Sequence, residues 1–222
     1  MKKIIAFAFV LLISEAVFAQ DIETGIYGGG AYYLGDINPG KQFTMVKPSY
    51  GLIARYNLDT RWTVRLNVLR GTLSSDDKVI KYKKDRLAKF NADVTEVSAQ
   101  MEVNFLDYFT GSYKTYISPY MFAGMGFFSS KYANSFCVPF GIGVKYSLTP
   151  KIGLGAEWGL RKTYTDYIDG MAATYSDTDK RQYSDSQTND WYSFAGVTLT
   201  YKIEIGSRPR CLNSVKPYKK HK

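Results

Sequence analysis

The stretch WTVRLNV, residues 62–68, alternates strictly between apolar and polar side chains. A period of two places successive side chains on opposite faces of a β-strand, so this stretch predicts a strand between two different surroundings. The same alternation recurs in EVSAQMEVN at 96–104, IGLGAEWGLR at 152–161, VTLTYKIE at 197–204 and FCVPFGIGVK at 136–145. These five segments predict an all-β protein.

Three further segments, residues 22–34, 50–56 and 117–127, bring the number of predicted strands to eight. Pro139 removes one backbone donor, which predicts a bulge or weak pairing at that position. The connections after the even strands are compact and cover 57–60, the residues around 110–112, and 147–150. The connections after the odd strands are mostly longer and polar; they cover 35–47, 71–91 and 163–189, with a brief one at 129–134. This pattern is typical of outer-membrane barrels. We therefore predict a transmembrane, eight-stranded, antiparallel up-and-down β-barrel in the outer membrane, with both termini periplasmic.

The N-terminus has the order of a secretory signal peptide, with basic residues, an apolar run and a small-residue cleavage site. We expect cleavage after Ala19, which divides the chain into a signal peptide at 1–19, a barrel at 20–205 and a basic periplasmic tail at 206–222. The chain has a formal charge of +9 and contains 19 Tyr, 13 Phe and 19 Gly. Export makes nucleic acid an improbable partner for this basic protein and favours membrane lipids and acidic partners.

The polar faces of the predicted strands carry acidic and basic residues that we expect to point into the lumen: Arg55, Arg65, Glu96, Glu102, Lys145, Glu157, Arg161, Lys202 and Glu204. Side chains alone fill the interior of an eight-stranded barrel, so we interpret these residues as a salt-bridged plug. A narrow ion pathway or proton relay is the alternative.

A soluble lipocalin-like barrel would also alternate, but it would turn its apolar residues inward around a ligand. Two features favour the membrane reading. The polar faces are rich in charges of both signs, and the apolar faces carry Trp62, Trp158, Trp191 and Tyr201, as interfacial aromatic girdles require.

The sequence offers little for catalysis. Its single histidine is His221, next to the last residue, so barrel enzymes that depend on histidine lack a plausible base. Recognisable metal-ligand spacing is absent, and we expect no cofactor. The acidic residues between 166 and 185 lack the regular spacing of calcium loops, which favours a solvated loop over a calcium site. We predict that the protein is not an enzyme.

Two cysteines lie toward opposite ends of the predicted barrel. Cys137 is near the outer end of the sixth strand and Cys211 is in the tail, so we expect roughly 20 Å or more between them. A disulfide needs a Cα separation of about 6 Å, so the two cysteines should not pair with each other. Cys211 is therefore a candidate for a disulfide with a partner, or a thiol without a role. The tail is strongly basic, and we expect Arg208, Arg210, Lys216, Lys219 and Lys220 to bind an acidic or periplasmic partner or the anionic cell wall, with solvated disorder as the alternative.

The stretch WGLRKTYTDYIDG at 158–170, followed by Tyr175, resembles the signature of the PorG-like barrels of the type IX secretion and gliding-motility apparatus. Its specific residues are Thr165, Asp166, Tyr167, Asp169 and Tyr175. Shorter matches follow in the same order: YLGDINP at 33–39, RYN at 55–57, SDD at 75–77, EVS at 96–98, EVNF at 102–105, SPY at 118–120 and PFGIG at 139–143. The chain departs from the pattern at Gly170 and Met171.

The resemblance implies an outer-membrane component that contacts the periplasmic ring of this machine, built from a PorK-like lipoprotein and a PorN-like protein. It brings no catalytic residues. A filled barrel with a basic tail favours an anchoring or assembly role over a conduit. A stand-alone barrel of the OmpA or OmpX kind, acting in envelope integrity or adhesion, is the competing reading.

Overall fold

The computed structural model describes residues 21–34, 42–76, 89–112, 114–131, 133–165, 175–176, 181–182 and 190–204. The predicted signal peptide and tail lie outside these residues. Ten strands are present in them: β1 (Asp21–Leu34), β2 (Lys47–Asn57), β3 (Trp62–Asp76), β4 (Lys89–Asn104), β5 (Ile117–Ser130), β6 (Asn134–Ser147), β7 (Ile152–Thr163), β8 (Tyr175–Ser176), β9 (Arg181–Gln182) and β10 (Trp191–Glu204).

Eight of these strands form a closed antiparallel barrel in the order β1-β10-β7-β6-β5-β4-β3-β2. Closure comes from the pairing of β1 with β10, in a continuous register from Asp21 opposite Glu204 to Leu34 opposite Trp191. The predicted fold class and all eight predicted strands are confirmed. Strands β8 and β9 pair only with each other, in the chain between β7 and β10. No helix in the described part of the chain is long and apolar enough to cross a membrane.

We call the end of the barrel that holds Asp21 and Glu204 the terminal end, and the opposite end the loop end. The connections at the terminal end cover residues 58–61, 105–116 and 148–151. The second of these is not the compact turn that the sequence predicted. At the loop end, β3 continues to Asp76 and β4 begins at Lys89, so both strands reach into the predicted 71–91 connection. Leu73 of β3 and Ala92 and Val94 of β4 bury their side chains at this end.

Pro139 interrupts the barrel wall as predicted. The β5–β6 pairing runs from Ile117 opposite Tyr146 to Ala123 opposite Phe140, and resumes at Gly126 opposite Cys137 in an unchanged register. The proline therefore weakens the local pairing without a bulge, and on its other side it still pairs with Arg161 of β7.

The two faces of the wall differ in the way that the alternation predicts. Outward residues such as Leu66, Val97 and Val197 are more than half exposed, at 57%, 57% and 55%. The intervening residues point into the lumen and are buried. The core of this molecule is thus the lumen, and its surface is an apolar wall.

Candidate functional site

The lumen is the candidate functional site, because it gathers the buried charged side chains of the described residues. Eight of the nine predicted lumen residues are buried there: Arg55, Arg65, Glu96, Glu102, Lys145, Glu157, Arg161 and Lys202. The side chain of the ninth, Glu204, is outside the described residues. Strand periodicity alone places these residues on one face, and barrel closure brings them into contact.

Glu102 is the centre of the largest charge cluster. Its Oε1 atom lies 3.1 Å from Nε of Arg55 and 3.0 Å from Nη1 of Arg65, and its Oε2 atom lies 2.5 Å from Nζ of Lys145. Arg65 continues the network to Oε2 of Glu157 at 2.5 Å. These residues come from β2, β3, β4, β6 and β7, so the cluster ties opposite walls of the barrel together.

Aromatic rings pack over the cations of this cluster. The guanidinium carbon of Arg65 lies 4.6 Å from the ring centroid of Phe122, and Nζ of Lys145 lies 4.8 Å from that of Tyr120. Tyr120 also donates a 2.7 Å hydrogen bond to Glu157. Charges buried in this way are stabilised by their ion-pair partners and by the aromatic rings.

A second cluster lies nearer the loop end and is centred on Glu96. This carboxylate accepts hydrogen bonds from Arg161 at 3.2 Å and from the Tyr192 hydroxyl at 2.8 Å. Beyond it, the rings of Tyr192, Phe128 and Phe194 pack edge to face, with centroids 5.6 and 5.8 Å apart. These rings belong to an apolar layer that closes the lumen above the charges.

Glycines on β6 and β7 provide the room for these bulky groups. A Cβ atom at Gly141 or Gly159 would meet the Phe122 ring at 2.7 or 2.6 Å. A Cβ atom at Gly143 would lie 2.6 Å from the Tyr120 ring. The large rings of β5 therefore lie against glycines of β6, its neighbour in the sheet, and of β7.

The β4–β5 connection, residues 105–116, forms a cap over the terminal end of the lumen. Thr110 is fully buried; its hydroxyl donates a 2.7 Å hydrogen bond to Glu23, and its carbonyl accepts one of 2.7 Å from Lys202. Tyr108 is also buried in the cap, where burial raises the pKa of its phenol to about 12. Glu23 is a lumen charge that the sequence analysis missed, although it precedes Gly25 and Tyr27 on the same face of β1.

Gly111 fixes the path of the cap, and we expect Gly111→Ala to loosen it. Gly111 has a φ of +96°, and an added Cβ would lie 2.6 Å from the Pro150 carbonyl oxygen. A side chain in this conformation costs about 1–2 kcal/mol, before any cost of the contact. Urea unfolding of the refolded barrel measures the loss, and proteolysis within 105–116 should become faster. Unchanged stability would show that the cap adapts without cost.

The charged and thiol side chains of the lumen contact one another and the surrounding rings. Among the described residues, no group of three or more potential metal ligands is present. The Cys137 thiol is buried in the lumen and contacts the Tyr192 hydroxyl at 3.4 Å. The described residues therefore form a filled, charge-paired plug.

The residues of the predicted family motif lie mostly beyond the described part of the chain. Thr165 is described, and its carbonyl accepts hydrogen bonds from the Thr163 hydroxyl at 3.1 Å and the Asp190 amide at 3.1 Å. Asp166, Tyr167 and Asp169 fall outside the described residues, as do the side chain of Tyr175 and all the predicted tail residues from Arg208 to Lys220. Thr165 thus lies at the root of the β7–β10 connection.

The sequence matches one protein family, described as a domain of unknown function (DUF6089), over residues 2–213. No curated protein matches it. Among solved structures, the barrel is similar to Neisserial surface protein A, with 13% identity, a TM-score of 0.51, and coverage of 83% of this chain and 97% of that one. At this identity the likeness shows a shared fold alone.

Two other barrels align over similar lengths. The attachment invasion locus protein Ail of Yersinia pestis has 11% identity and a TM-score of 0.44, and covers 84% of this chain and 99% of its own. OprG of Pseudomonas aeruginosa has 11% identity and a TM-score of 0.42, with coverage of 86% and 98%.

Proposed function

This chain belongs to the DUF6089 family, and we propose that it is a non-enzymatic outer-membrane barrel that anchors or helps assemble the periplasmic ring of a type IX secretion machinery. The observation that carries the proposal is the filled lumen, in which Arg65 and Glu102 are fully buried at 0% exposure. A barrel closed by salt bridges, rings and a cap cannot conduct a protein cargo. Its contribution to secretion is therefore made by its surfaces.

The height of the apolar wall supports a membrane location. On β6 the outward residues run from Phe136, 68% exposed, to Tyr146, 39% exposed. Ten residues of strand at about 3.4 Å each, tilted by about 40°, span roughly 25 Å along the barrel axis. This height matches the apolar band of an outer-membrane barrel.

The direction of the chain supports a partner on the periplasmic side. Both ends of the barrel, Asp21 and Glu204, lie at the terminal end, where two of the three connections, 58–61 and 148–151, have only four residues each. Short connections face the periplasm in outer-membrane barrels, which supports a periplasmic position for Glu204, the last strand residue before the basic tail. There the tail meets the ring subunits that the family resemblance implies, a PorK-like lipoprotein and a PorN-like protein.

A deletion strain complemented with variants of the chain tests this role. We expect deletion to reduce the cargo found in the medium. The full chain should restore it, while a chain ending at residue 205 should insert normally and fail to restore it. Normal secretion in the deletion strain, with altered adhesion or envelope resistance, would replace the proposal with a stand-alone barrel of the OmpA or OmpX kind.

Covalent capture through Cys211 is a narrower test of the tail. Outer membranes run on gels without reductant should show a higher-mass band that disappears in Cys211→Ser and that contains a ring subunit. Cys137→Ser is the matched control, because that thiol is buried in the lumen with 1% exposure. A band that survives Cys211→Ser, or monomer alone, would remove the disulfide from the proposal.

A further inference from the structure

Lys162 is a cation on the outer face of the barrel wall. It lies next to the last residue of β7, after the outward residues Leu154, Trp158 and Leu160, and its side chain is exposed. Among the outward side chains that the structure describes on the barrel strands, the only other cation is Arg70 of β3. A charge at the edge of an apolar wall needs an opposite charge or a polar surrounding.

The two outward cations differ in their neighbours. Nη2 of Arg70 lies 3.5 Å from Oδ2 of Asp93 on β4. Lys162 forms no ion pair with a carboxylate among the described residues; its Nζ atom instead lies 5.8 Å from the ring centroid of Trp191. The face of a ring attracts a cation but leaves its N–H donors free for an anion. The charge of Lys162 is therefore available to a partner from outside the chain.

Aromatic rings surround Lys162 on the wall. Trp191 is its cross-strand neighbour on β10 and packs edge to face against Phe140 of β6, with the ring centroids 6.0 Å apart. Phe136 and Tyr164 lie at the same end of the wall and are 68% and 62% exposed. Tryptophan and tyrosine are typical of the boundary between the apolar band and the lipid headgroups. The rings thus indicate that Lys162 lies at this boundary.

The height of Lys162 on the wall agrees with this position. Lys162 lies ten residues along β7 from Ile152, the first residue of the strand. At about 3.4 Å per residue and a tilt of about 40°, the two residues are roughly 25 Å apart along the barrel axis, which is the height of the apolar band. The lysine stem can cover apolar surface while its ammonium group reaches the polar region.

From this position we propose that Lys162, beside the rings of Trp191 and Phe140, binds the anionic headgroup of a lipid in the leaflet at the loop end. A headgroup phosphate supplies the acceptor oxygens and the negative charge that the described residues do not provide. The exposed rings of Phe136 and Tyr164 offer apolar surface to the acyl chains. The site requires the lipid-facing wall but no contact with a secretion ring.

Quenching of Trp191 fluorescence by brominated lipids tests the site on the full chain refolded into vesicles. Trp62→Phe and Trp158→Phe leave Trp191 as the single tryptophan. In vesicles that mix phosphatidylglycerol with phosphatidylcholine, one or the other brominated, we expect phosphatidylglycerol to be preferred beside Trp191 by about fivefold, the effect of one basic residue at an anionic surface. Lys162→Gln should reduce this ratio to about one, and Lys162→Arg should retain it.

Lys151→Gln is the matched control, because Lys151 is an exposed lysine in the 148–151 connection at the terminal end. It should leave the ratio unchanged. The heat-dependent gel shift of the barrel verifies that each variant is folded, and the same lysine variants are compared in the wild-type chain if the tryptophan substitutions prevent folding.

An equal ratio in the parent chain and in Lys162→Gln would overturn the proposal. So would a loss of the preference when inorganic phosphate is added at constant ionic strength, because the site would then bind free phosphate. A chain that folds but does not enter the vesicles would contradict the lipid-facing wall itself, and the site with it.

Discussion

Glu102→Gln is expected to lower the free energy of unfolding by about 3–5 kcal/mol, the usual cost of removing one partner from a buried ion pair. Glutamine keeps the shape of the side chain but removes the charge that faces Arg55, Arg65 and Lys145. Arg65 keeps Glu157, whereas Arg55 and Lys145 form no other ion pair with a carboxylate among the described residues. Two fully buried cations then remain uncompensated. Urea titration of the barrel in lipid vesicles measures the effect.

The exposed ion pair between Arg61 and Asp107 provides the control. Its atoms lie 2.7 Å apart, but the two side chains are 55% and 65% exposed. Asp107→Asn is therefore expected to change stability by less than about 1 kcal/mol. A loss for Glu102→Gln no larger than that of Asp107→Asn would show that the lumen charges are solvated, which would contradict a filled lumen.

Gly143→Val is expected to destabilise the barrel by about 3–5 kcal/mol or to prevent folding. The first Cβ atom alone would lie 2.6 Å from the Tyr120 ring and 2.7 Å from the Ala156 carbonyl oxygen. Overpacking costs about 1–3 kcal/mol, and displacement of Tyr120 removes its hydrogen bond to Glu157, worth about 1.5–3 kcal/mol. Refolding yield and the urea midpoint report the loss.

Gly28→Val is the matched substitution on the opposite face of the wall. An added Cβ at Gly28 meets nothing within 4 Å. Valine is favoured in strands and adds apolar surface to the wall, so stability should stay the same or increase. If Gly28→Val lowered stability as much as Gly143→Val, the loss of stability would come from the strand backbone. Contacts in the lumen would then not explain why glycines occupy these positions.

Strand periodicity was sufficient to predict the barrel and the face on which its charges lie. Arg65 alternates with apolar neighbours in 62–68, and Glu102 and Glu157 lie in equally regular segments. Successive side chains of a strand point to opposite faces, so odd- and even-numbered positions lie on different sides of the wall. The burial of these three residues follows once the apolar face is assigned to the outside. The pairing partners were not predictable, because they depend on the relative heights of distant strands.

The cap and Glu23 were missed for a different reason. The cap depends on single contacts of Thr110 and Gly111 with residues far along the chain, and no periodic pattern marks it. Glu23 was missed because glycines at 25 and 28–30 obscure the alternation of β1.

The most direct test of a lipid-facing wall around a filled lumen is a nitroxide scan along β10 in lipid vesicles. Single cysteines at 197–202 are introduced into the full chain carrying Cys137→Ser and Cys211→Ser. Labels at 197, 199 and 201, where the native residues are 45–55% exposed, should be accessible to oxygen and shielded from a water-soluble nickel chelate. Labels at 198, 200 and 202 should be shielded from both. Nickel access at the odd positions would mean a wall in water, and nickel access at the even positions would mean an open lumen; either result would contradict the account.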